Sequence, residues 1–316
     1  MPIKAIFSNS VKDDILIGWR DLIRLDVIPE SFPGKVCAAT ATCSPEESTI
    51  AKRQQALCEA YPDVLREELP EHALSGTPMR IELRDDIQIK PRQATTCKLT
   101  PTHLQEDAKK LLQSLLDDDI IERVPEGEVS EWISPAFFVP KPGGKGVRLV
   151  TDFTCLNRCV KRPVHPFPSA ADIAKGIPST AKYFCKLDAL KGYHQVPLDE
   201  ESRKLTTFLL PDGKYRYKRG PMGLSSTGDW WCHKSDAVII GIPGSDKIVD
   251  DILLSSDTLD GLFEKIEQVL KRCQAAGLTI ARKKMSIGTT VNFAGFIISD
   301  KGVCLLYTSP SPRDRG

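Results

Sequence analysis

Hydrophobic positions along the chain follow a helical period in some stretches and a strand period in others. Between residues 104 and 115, apolar residues recur every three or four positions, which predicts an amphipathic helix with a leucine-rich buried face. Thr102 and Gln105 have the spacing of a capping box at its start. A second helical period, from residue 259 to 273, is followed by Gly277, which is typical of a helix C-terminus.

Shorter apolar runs predict strands. Residues 132–141 and 147–153 flank the turn signal Pro-Gly-Gly-Lys-Gly and so predict a hairpin. Residues 183–188 form an apolar strand that ends on Asp188 and leads into a turn containing Gly192. Residues 215–218 alternate like a strand.

Two adjacent carboxylates, Asp250 and Asp251, interrupt the apolar run 248–254. Side chains on a strand alternate between faces, so two neighbours cannot both point one way along a regular strand. A tight hairpin turn can place both at one tip. Burying them is costly unless a cation neutralises them, and Mg²⁺ prefers carboxylate oxygen. The alternative is an ordinary polar turn.

The strand that ends on Asp188 favours the cation site over an ordinary polar turn. One carboxylate at a strand end and two at a hairpin tip could converge into a three-carboxylate site. Such a site can hold two cations that activate an attacking oxygen and stabilise a leaving one.

These two stretches resemble the palm of a reverse transcriptase from a gypsy-type LTR retrotransposon Pol polyprotein. The resemblance implies an α+β fold, in which fingers and an antiparallel palm sheet backed by helices form part of a right-hand polymerase without its thumb. It makes Asp188, Asp250 and Asp251 the catalytic and metal-binding residues, with two magnesium ions as cofactors and manganese as a possible substitute.

The 132–153 hairpin resembles the fingertips of the family, where a lysine and an arginine grip the triphosphate of the incoming nucleotide. Lys141 and Arg148 stand at the matching places. The planar fork of arginine suits phosphate because it can form two bonds at once. Solvated hairpin charges are the alternative interpretation.

Three further segments match family motifs. Tyr193 stands where the family keeps an aromatic beside the sugar, which would exclude a ribose 2′-hydroxyl. Met222 and Gly223 lie in a segment resembling the loop and helix under the templating base pair, and glycine there allows close backbone approach. Residues Phe293, Ala294, Gly295 and Phe296 resemble the primer grip, which positions the primer 3′ end.

The chain departs from the family at two places. Residues 227–231 read Thr-Gly-Asp-Trp-Trp where gypsy-type enzymes commonly have Ala-Pro and then Phe-Gln. Ile248 replaces the tyrosine that usually precedes the aspartate pair by two residues. We expect this second change to affect fidelity or efficiency more than chemistry.

The resemblance also implies a domain order. Residues 1–31 are similar to the end of a retropepsin-like protease, without its catalytic triplet, and 32–60 are expected to be a linker with a short helix near 48–60. Residues 61–303 are expected to be fingers and palm. Residues 304–316 have neither helical nor strand period and are expected to be a non-native or disordered tail.

Composition bears on the cellular location and on the binding partners. No apolar run approaches the ~20 residues that span a bilayer, and the ten cysteines include no Cys-x-x-Cys pair, so we expect no membrane partner and an intracellular location. The resemblance to a retrotransposon protein implies that this location is the cytoplasm or a virus-like particle. Residues 44–129 carry 11 Lys/Arg against 18 Asp/Glu, whereas 130–220 carry 16 against 8. A basic segment around a carboxylate site is typical of a nucleic-acid enzyme.

The function implied by the resemblance is RNA-directed DNA polymerisation, by transfer of a nucleotide from a dNTP to a primer 3′-hydroxyl. The partners are then an RNA or DNA template with its primer, dNTPs, and the thumb, RNase H and integrase of the same polyprotein. The alternatives are an inactive nucleic-acid-binding remnant and an RNA-dependent RNA polymerase. The aromatic Tyr193 argues against the second.

Overall fold

The computed structural model describes residues 45–70, 74–141, 146–166 and 168–305, and every structural statement below concerns these ranges. The chain divides into two compact units, Met1–Thr49 and Ile50–Gly316. The protease-like segment predicted for residues 1–31 lies outside the described residues. The domain boundaries predicted from the sequence therefore stay predictions.

Helices and strands alternate along the described chain. The α-helices are α1 (Pro45–Ala60), α2 (Gln105–Asp117), α3 (Thr154–Cys159), α4 (Ala170–Gly176), α5 (Glu200–Leu205), α6 (Ser225–Asp236) and α7 (Leu259–Ala276). Single 3₁₀ turns occupy Thr102–Leu104, Gly192–Gln195 and Arg282–Lys284. The strands are β1 (Leu65–Arg66), β2 (Ile121–Arg123), β3 (Ser134–Pro140), β4 (Val147–Thr151), β5 (Tyr183–Asp188), β6 (Phe208–Leu210), β7 (Gly213–Tyr217), β8 (Ser245–Ile248), β9 (Asp251–Ser256), β10 (Ile280–Ala281), β11 (Ser286–Gly288), β12 (Thr290–Phe293), β13 (Phe296–Ser299) and β14 (Gly302–Leu305).

The periodic helices form where the sequence predicts them. In α2, Leu115 is buried, and the neighbouring leucines of its apolar face pack against the core. Helix α7 begins at the N-cap Thr258 and ends at Gly277, whose φ of 71° is the left-handed conformation expected of a C-terminal glycine. The capping box is wrong in detail. A 3₁₀ turn precedes α2, and no side-chain hydrogen bond caps the start of that turn or of α2. The Gln105 side-chain amide donates to the Thr100 carbonyl instead.

Two larger sheets organise the fold. A five-stranded sheet with the order β2-β7-β6-β3-β4 contains the predicted β3–β4 hairpin, and its β3 and β6 are parallel. A four-stranded sheet with the order β11-β5-β9-β8 is antiparallel throughout. The strands β12, β13 and β14 form a separate antiparallel sheet.

The four-stranded sheet is covered on both faces. Cys185, Leu187 and Leu254 lie in the main core, and α7 packs against β5 and β9. Phe184 and Leu253, which alternation places on the opposite face, are buried in a second cluster with residues of β12 and β13. Because both faces are covered, β5 and β9 are nearly continuous apolar runs rather than alternating ones.

The predicted loss of regular structure after Val303 is wrong for the next two residues. Cys304 and Leu305 belong to β14, in which Cys304 pairs with Ile297 and Leu305 with Phe296. Backbone pairing with β13 forms this strand without a clear hydrophobic period. Residues 306–316 lie outside the described part of the chain.

Candidate active site

The two adjacent aspartates lie at a two-residue hairpin. Strands β8 and β9 pair up to Ile248 opposite Asp251, which leaves Val249 and Asp250 as the turn. Val249 has a φ of 52°. This left-handed conformation is unfavourable for a β-branched residue, by about 1–3 kcal/mol. Two neighbouring residues of a regular strand point to opposite faces, but Asp250 lies in the turn and only Asp251 lies in β9. The two carboxylates can therefore lie at the same tip.

The third carboxylate lies directly across the sheet. Asp188 ends β5 and is the register partner of Asp251. The next residue, Ala189, donates its backbone N–H to the Asp250 carbonyl at 2.9 Å. The structure thus brings Asp188, Asp250 and Asp251 to one end of the sheet, as the sequence predicts.

Two lysines approach two of the three carboxylates. Lys284 Nζ lies 2.7 Å from Asp188 Oδ1, and Lys186 Nζ lies 3.0 Å from Asp251 Oδ1. The Oδ1 of Asp250 is buried and has no hydrogen-bond partner among the described residues. Within the described ranges, Asp250 is therefore the one of the three carboxylates that forms no ion pair.

Burial and the neighbouring charges shift the pKa values of Asp250 and Asp251. Burial, and then the negative charges of Asp188 and Asp251, raise the pKa of Asp250 to about 6. Burial also raises the pKa of Asp251, although contact with Lys186 opposes the change. A site that raises the pKa of its carboxylates in this way favours a cation among them.

These residues fit a divalent metal by chemistry. The buried, unpartnered oxygen of Asp250 and the repulsion among three carboxylates are both relieved by a hard cation with oxygen ligands. In the present arrangement, the described residues contain no group of three or more His, Cys, Asp or Glu that could hold one ion. Lys284 and Lys186 form ion pairs with Asp188 and Asp251. These two ion pairs must break before the carboxylates can bind a metal ion.

A small cavity adjoins the hairpin. Its volume is about 310 Å³, and its lining includes Tyr193, Gly223, Gly228 and Val249. Tyr193 is half-buried, and burial, followed by the charge of Asp250, raises its pKa to about 12, so the phenol stays neutral. The structure therefore brings two further predicted residues, Tyr193 and Gly223, to the space beside the turn. Met222 is 58% exposed and is not part of this lining.

The loop before α6 is held by Asn157. Its side-chain amide donates to the Gly223 carbonyl at 2.8 Å, and its oxygen accepts from the Ser225 backbone N–H at 2.9 Å. Gly223 has a φ of 89°, which favours glycine. The sequence analysis missed this role of Asn157, because both partners lie more than 60 residues further along the chain.

Arg148 lies in β4 of the five-stranded sheet, and Lys141 directly follows β3. Arg148 pairs with Val139, and the Lys141 backbone N–H donates to the Gly146 carbonyl at 2.9 Å, so strand alternation places both side chains on one face. Both residues are exposed. Residues 142–145 between them lie outside the described part.

The predicted primer-grip residues form a tight turn in the β12–β13–β14 sheet. Phe293 pairs with Phe296, and the turn residues Ala294 and Gly295 both have positive φ, 47° and 85°. Two positive φ values define the type I′ turn, which matches the twist of a hairpin. Buried Phe293 shares a cluster with Phe184 of β5, which ties this sheet to the four-stranded sheet.

Part of the positive charge of segment 130–220 is neutralised by carboxylates of segment 44–129. Five ion pairs between described residues join cations of segment 130–220 to carboxylates of segment 44–129: Lys161–Asp85, Lys191–Asp118, Lys218–Asp119, Arg216–Glu122 and Arg216–Glu128. Exposed Lys141, Arg148 and Arg158 form no ion pair within the described ranges. The basic surface is therefore smaller than the sequence count suggests.

An antiparallel sheet backed by helices, with an Asp-Asp hairpin opposite a third carboxylate, defines the palm of a nucleic-acid polymerase. The family model described as "Reverse transcriptase (RNA-dependent DNA polymerase)" matches residues 139–298, which is about half of the chain. The chain belongs to the reverse transcriptase family. The predicted family and fold class are thus confirmed.

Two of its relatives are Pol polyproteins of transposons. The chain is 27% identical over 259 residues to the retrovirus-related Pol polyprotein from transposon 412 of Drosophila melanogaster, which covers 78% of this chain and 20% of that protein. It is 32% identical over 201 residues to the Pol polyprotein from transposon gypsy of the same fly, which covers 60% of this chain and 19% of that protein. The chain thus spans about a fifth of the length of these relatives.

A solved structure supports the fold. The foamy viral protease-reverse transcriptase in complex with an RNA/DNA hybrid superimposes with a TM-score of 0.70 at 21% identity, covering 84% of this chain and 36% of that one. Within the described ranges, no helix has the length and apolar character needed to cross a membrane.

Proposed function

We propose that the chain is the fingers-and-palm portion of an RNA-directed DNA polymerase. In this proposal it extends a primer on an RNA or DNA template, and the attacking group is the primer 3′-hydroxyl. The observation that carries the proposal is the cluster of Asp188, Asp250 and Asp251, in which Asp188 faces Asp251 across the sheet and a buried oxygen of Asp250 has no partner. Family membership and the Pol relatives support the same conclusion.

Asp188, Asp250 and Asp251 would hold the magnesium ions. Two such ions, when bound, lower the pKa of the attacking hydroxyl and neutralise the departing pyrophosphate. Lys284 and Lys186 keep Asp188 and Asp251 neutralised until then. Asp250, whose buried Oδ1 has no hydrogen-bond partner among the described residues, would supply the third negative charge.

Other residues position the substrates in this proposal. Lys141 and Arg148 share one exposed face of the fingers hairpin and bind the triphosphate of the dNTP. Met222 and Gly223 lie under the templating base pair, and the turn 293–296 positions the primer end. Tyr193, on the wall of the cavity beside Val249, leaves no room for a ribose 2′-hydroxyl. We further infer that thumb, RNase H and integrase segments of a Pol polyprotein act with this chain, inside the cell.

The experiment compares substrates. The protein is supplied with Mg²⁺ and a DNA primer on an RNA template, and incorporation of one dNTP is measured against the matching ribonucleotide. The proposal predicts template-directed incorporation with kcat/KM far higher for the deoxynucleotide. Equal or preferred use of the ribonucleotide would instead identify an RNA polymerase, and binding without incorporation would identify an inactive remnant.

A further inference from the structure

The orientation of the Asp250 carboxylate depends on its backbone. Asp188 and Asp251 each contact a lysine, whereas the buried Oδ1 of Asp250 contacts no donor among the described residues. Since no hydrogen bond from the described part of the chain fixes this oxygen, its position is set by the turn formed with Val249. That turn holds Val249 in an unfavourable conformation, and the surrounding structure must maintain it.

Helix α6 contacts this turn directly. The indole Nε1 of Trp231 donates to the Val249 carbonyl at 3.1 Å, and Trp231 is 1% exposed. An added Cβ at Gly192 would lie 2.3 Å from Asp250 Oδ1 and 2.9 Å from the Trp231 ring. Trp231 therefore packs in the same closely filled space as the carboxylate, and its N–H bonds the residue just before it.

A second contact joins the end of α6 to β8. Lys247 is 5% exposed, and its Nζ lies 2.7 Å from Asp236 Oδ1, 2.6 Å from Ser235 Oγ and 3.1 Å from the Cys232 carbonyl. A cation is favoured at a helix C-terminus, where the backbone carbonyls carry partial negative charge. Lys247 thus fixes the strand that enters the turn, three residues before Asp250.

We propose that Trp231 and Lys247 are positioning residues, which hold the strained turn on helix α6 and thereby set the direction of the Asp250 carboxylate for metal binding. The inference rests on the proposed function, since it assigns the metal site to Asp250. Trp231 lies in the Thr-Gly-Asp-Trp-Trp segment, the first departure from the gypsy-type pattern, and Lys247 directly precedes Ile248, the second. Neither residue is expected to touch substrate.

The test removes one donor, together with part of the buried indole ring. Trp231→Phe deletes the indole N–H, and Trp230→Phe is the matched control, because Trp230 lies on the same helix but contacts Lys234 rather than the turn. Two quantities are measured in the protein without nucleic acid: amide hydrogen exchange at residues 189 and 248–251 in the absence of metal, and Mn²⁺ affinity by calorimetry. Neither measurement requires polymerisation.

We expect Trp231→Phe to speed exchange at these amides and to weaken Mn²⁺ binding, each by about tenfold, from loss of the hydrogen bond and of the packing around it. Trp230→Phe should match the parent in both. Unchanged exchange and Mn²⁺ affinity in Trp231→Phe, or equal changes in both variants, would overturn the proposal. Failure of the parent to bind Mn²⁺ at all would contradict the proposed metal site itself, which separates the two claims.

A second pair of variants covers the case in which Trp231→Phe does not fold. Lys247→Met removes the buried ammonium, and Lys265→Met is its control, because Lys265 ties α7 to the Ser255 carbonyl, far along β9 from the turn. Both variants are expected to lower thermal stability. Only Lys247→Met should also weaken Mn²⁺ binding and loosen the turn, and a loss of stability without those changes would show a purely structural lysine.

Discussion

The protonation of Asp250 gives the active-site proposal a test that needs neither nucleic acid nor metal. Its pKa is raised to about 6 by burial and by Asp188 and Asp251, from an ordinary value of 3.8. The folded protein thus binds this proton more tightly than the unfolded chain does. The resulting stability is fully present below pH ~4 and is lost as the pH rises through about 6.

We therefore predict that Asp250→Asn, which cannot titrate, becomes more stable than the parent as the pH rises from about 4 to 7. The gap in free energy of unfolding should grow by at most about 3 kcal/mol, from a pKa change of about two units. Urea unfolding in the presence of a chelator at several pH values measures it. Parallel curves for the two proteins would show that Asp250 is not repelled by its neighbours.

Tyr193 provides a second test at the scale of one residue. If its ring closes the cavity beside Val249 against a 2′-hydroxyl, Tyr193→Ala should raise kcat/KM for ribonucleotides while deoxynucleotide incorporation changes little. The ratio of the two kcat/KM values in parent and variant is the measurement. A packing role alone would lower both values together and leave the ratio unchanged.

At the scale of elements, the turn after β5 has no space for a side chain. A Cβ at Gly192 would collide with Asp250 and Trp231, so Gly192→Ala should destabilise the protein by about 1–3 kcal/mol and reduce activity. Gly176→Ala is the control, because its Cβ would meet nothing within 4 Å. Thermal unfolding of both variants gives the comparison, and equal stabilities would mean that the turn adjusts at no cost.

The hydrophobic period and the turn residues were enough to predict many of the helices and strands. The strand ending on Asp188, the hairpin at Asp250 and the helix ending at Gly277 were predicted from period, alternation and turn residues, and all three form. The capping box was wrong because Thr102 lies in a 3₁₀ turn that shifts the start of α2. Strand β14 was missed because pairing with β13 forms it, and no local pattern encodes that contact.

Of the two lysines at the site, Lys186 could have been predicted from the sequence and Lys284 could not. Lys186 lies two residues before Asp188, so strand alternation could have placed it on the same face as the carboxylates. Lys284 lies far along the chain, and its contact with Asp188 depends on β11 pairing with β5. The roles of Trp231 and Lys247 could not be predicted from the sequence, because their partners are atoms of neighbouring elements.

At the scale of the whole molecule, ion pairing limits which cations can meet a polyanion. Cations such as Lys191 and Lys218 already bind carboxylates of the acidic segment. Exposed Lys141, Arg148 and Arg158 are expected to contribute most to binding a primer–template. A protein that contacts phosphates loses affinity steeply with salt, with a slope of about 0.9 per contact on duplex DNA.

We predict that replacing these three exposed cations by glutamine reduces that slope by about 1–3. Replacing Lys191 and Lys218 by glutamine should leave it unchanged, because their charges are already neutralised within the fold. Fluorescence anisotropy over roughly 50–200 mM salt measures both slopes. A flat dependence in the parent would show that the basic surface is only solvated.

The central claim is that Asp250 belongs to the metal site of a template-copying polymerase, and one matched pair of variants tests it most directly. Asp250→Asn and Asp246→Asn change two half-buried aspartates of the same hairpin, and Asp246 pairs with Leu253, away from the turn. Mg²⁺-dependent extension of a DNA primer along an RNA template is measured with all four dNTPs, and the product is sequenced. We expect a product complementary to the template from the parent and from Asp246→Asn, and none from Asp250→Asn. Extension by Asp250→Asn near the parent rate would contradict the assignment.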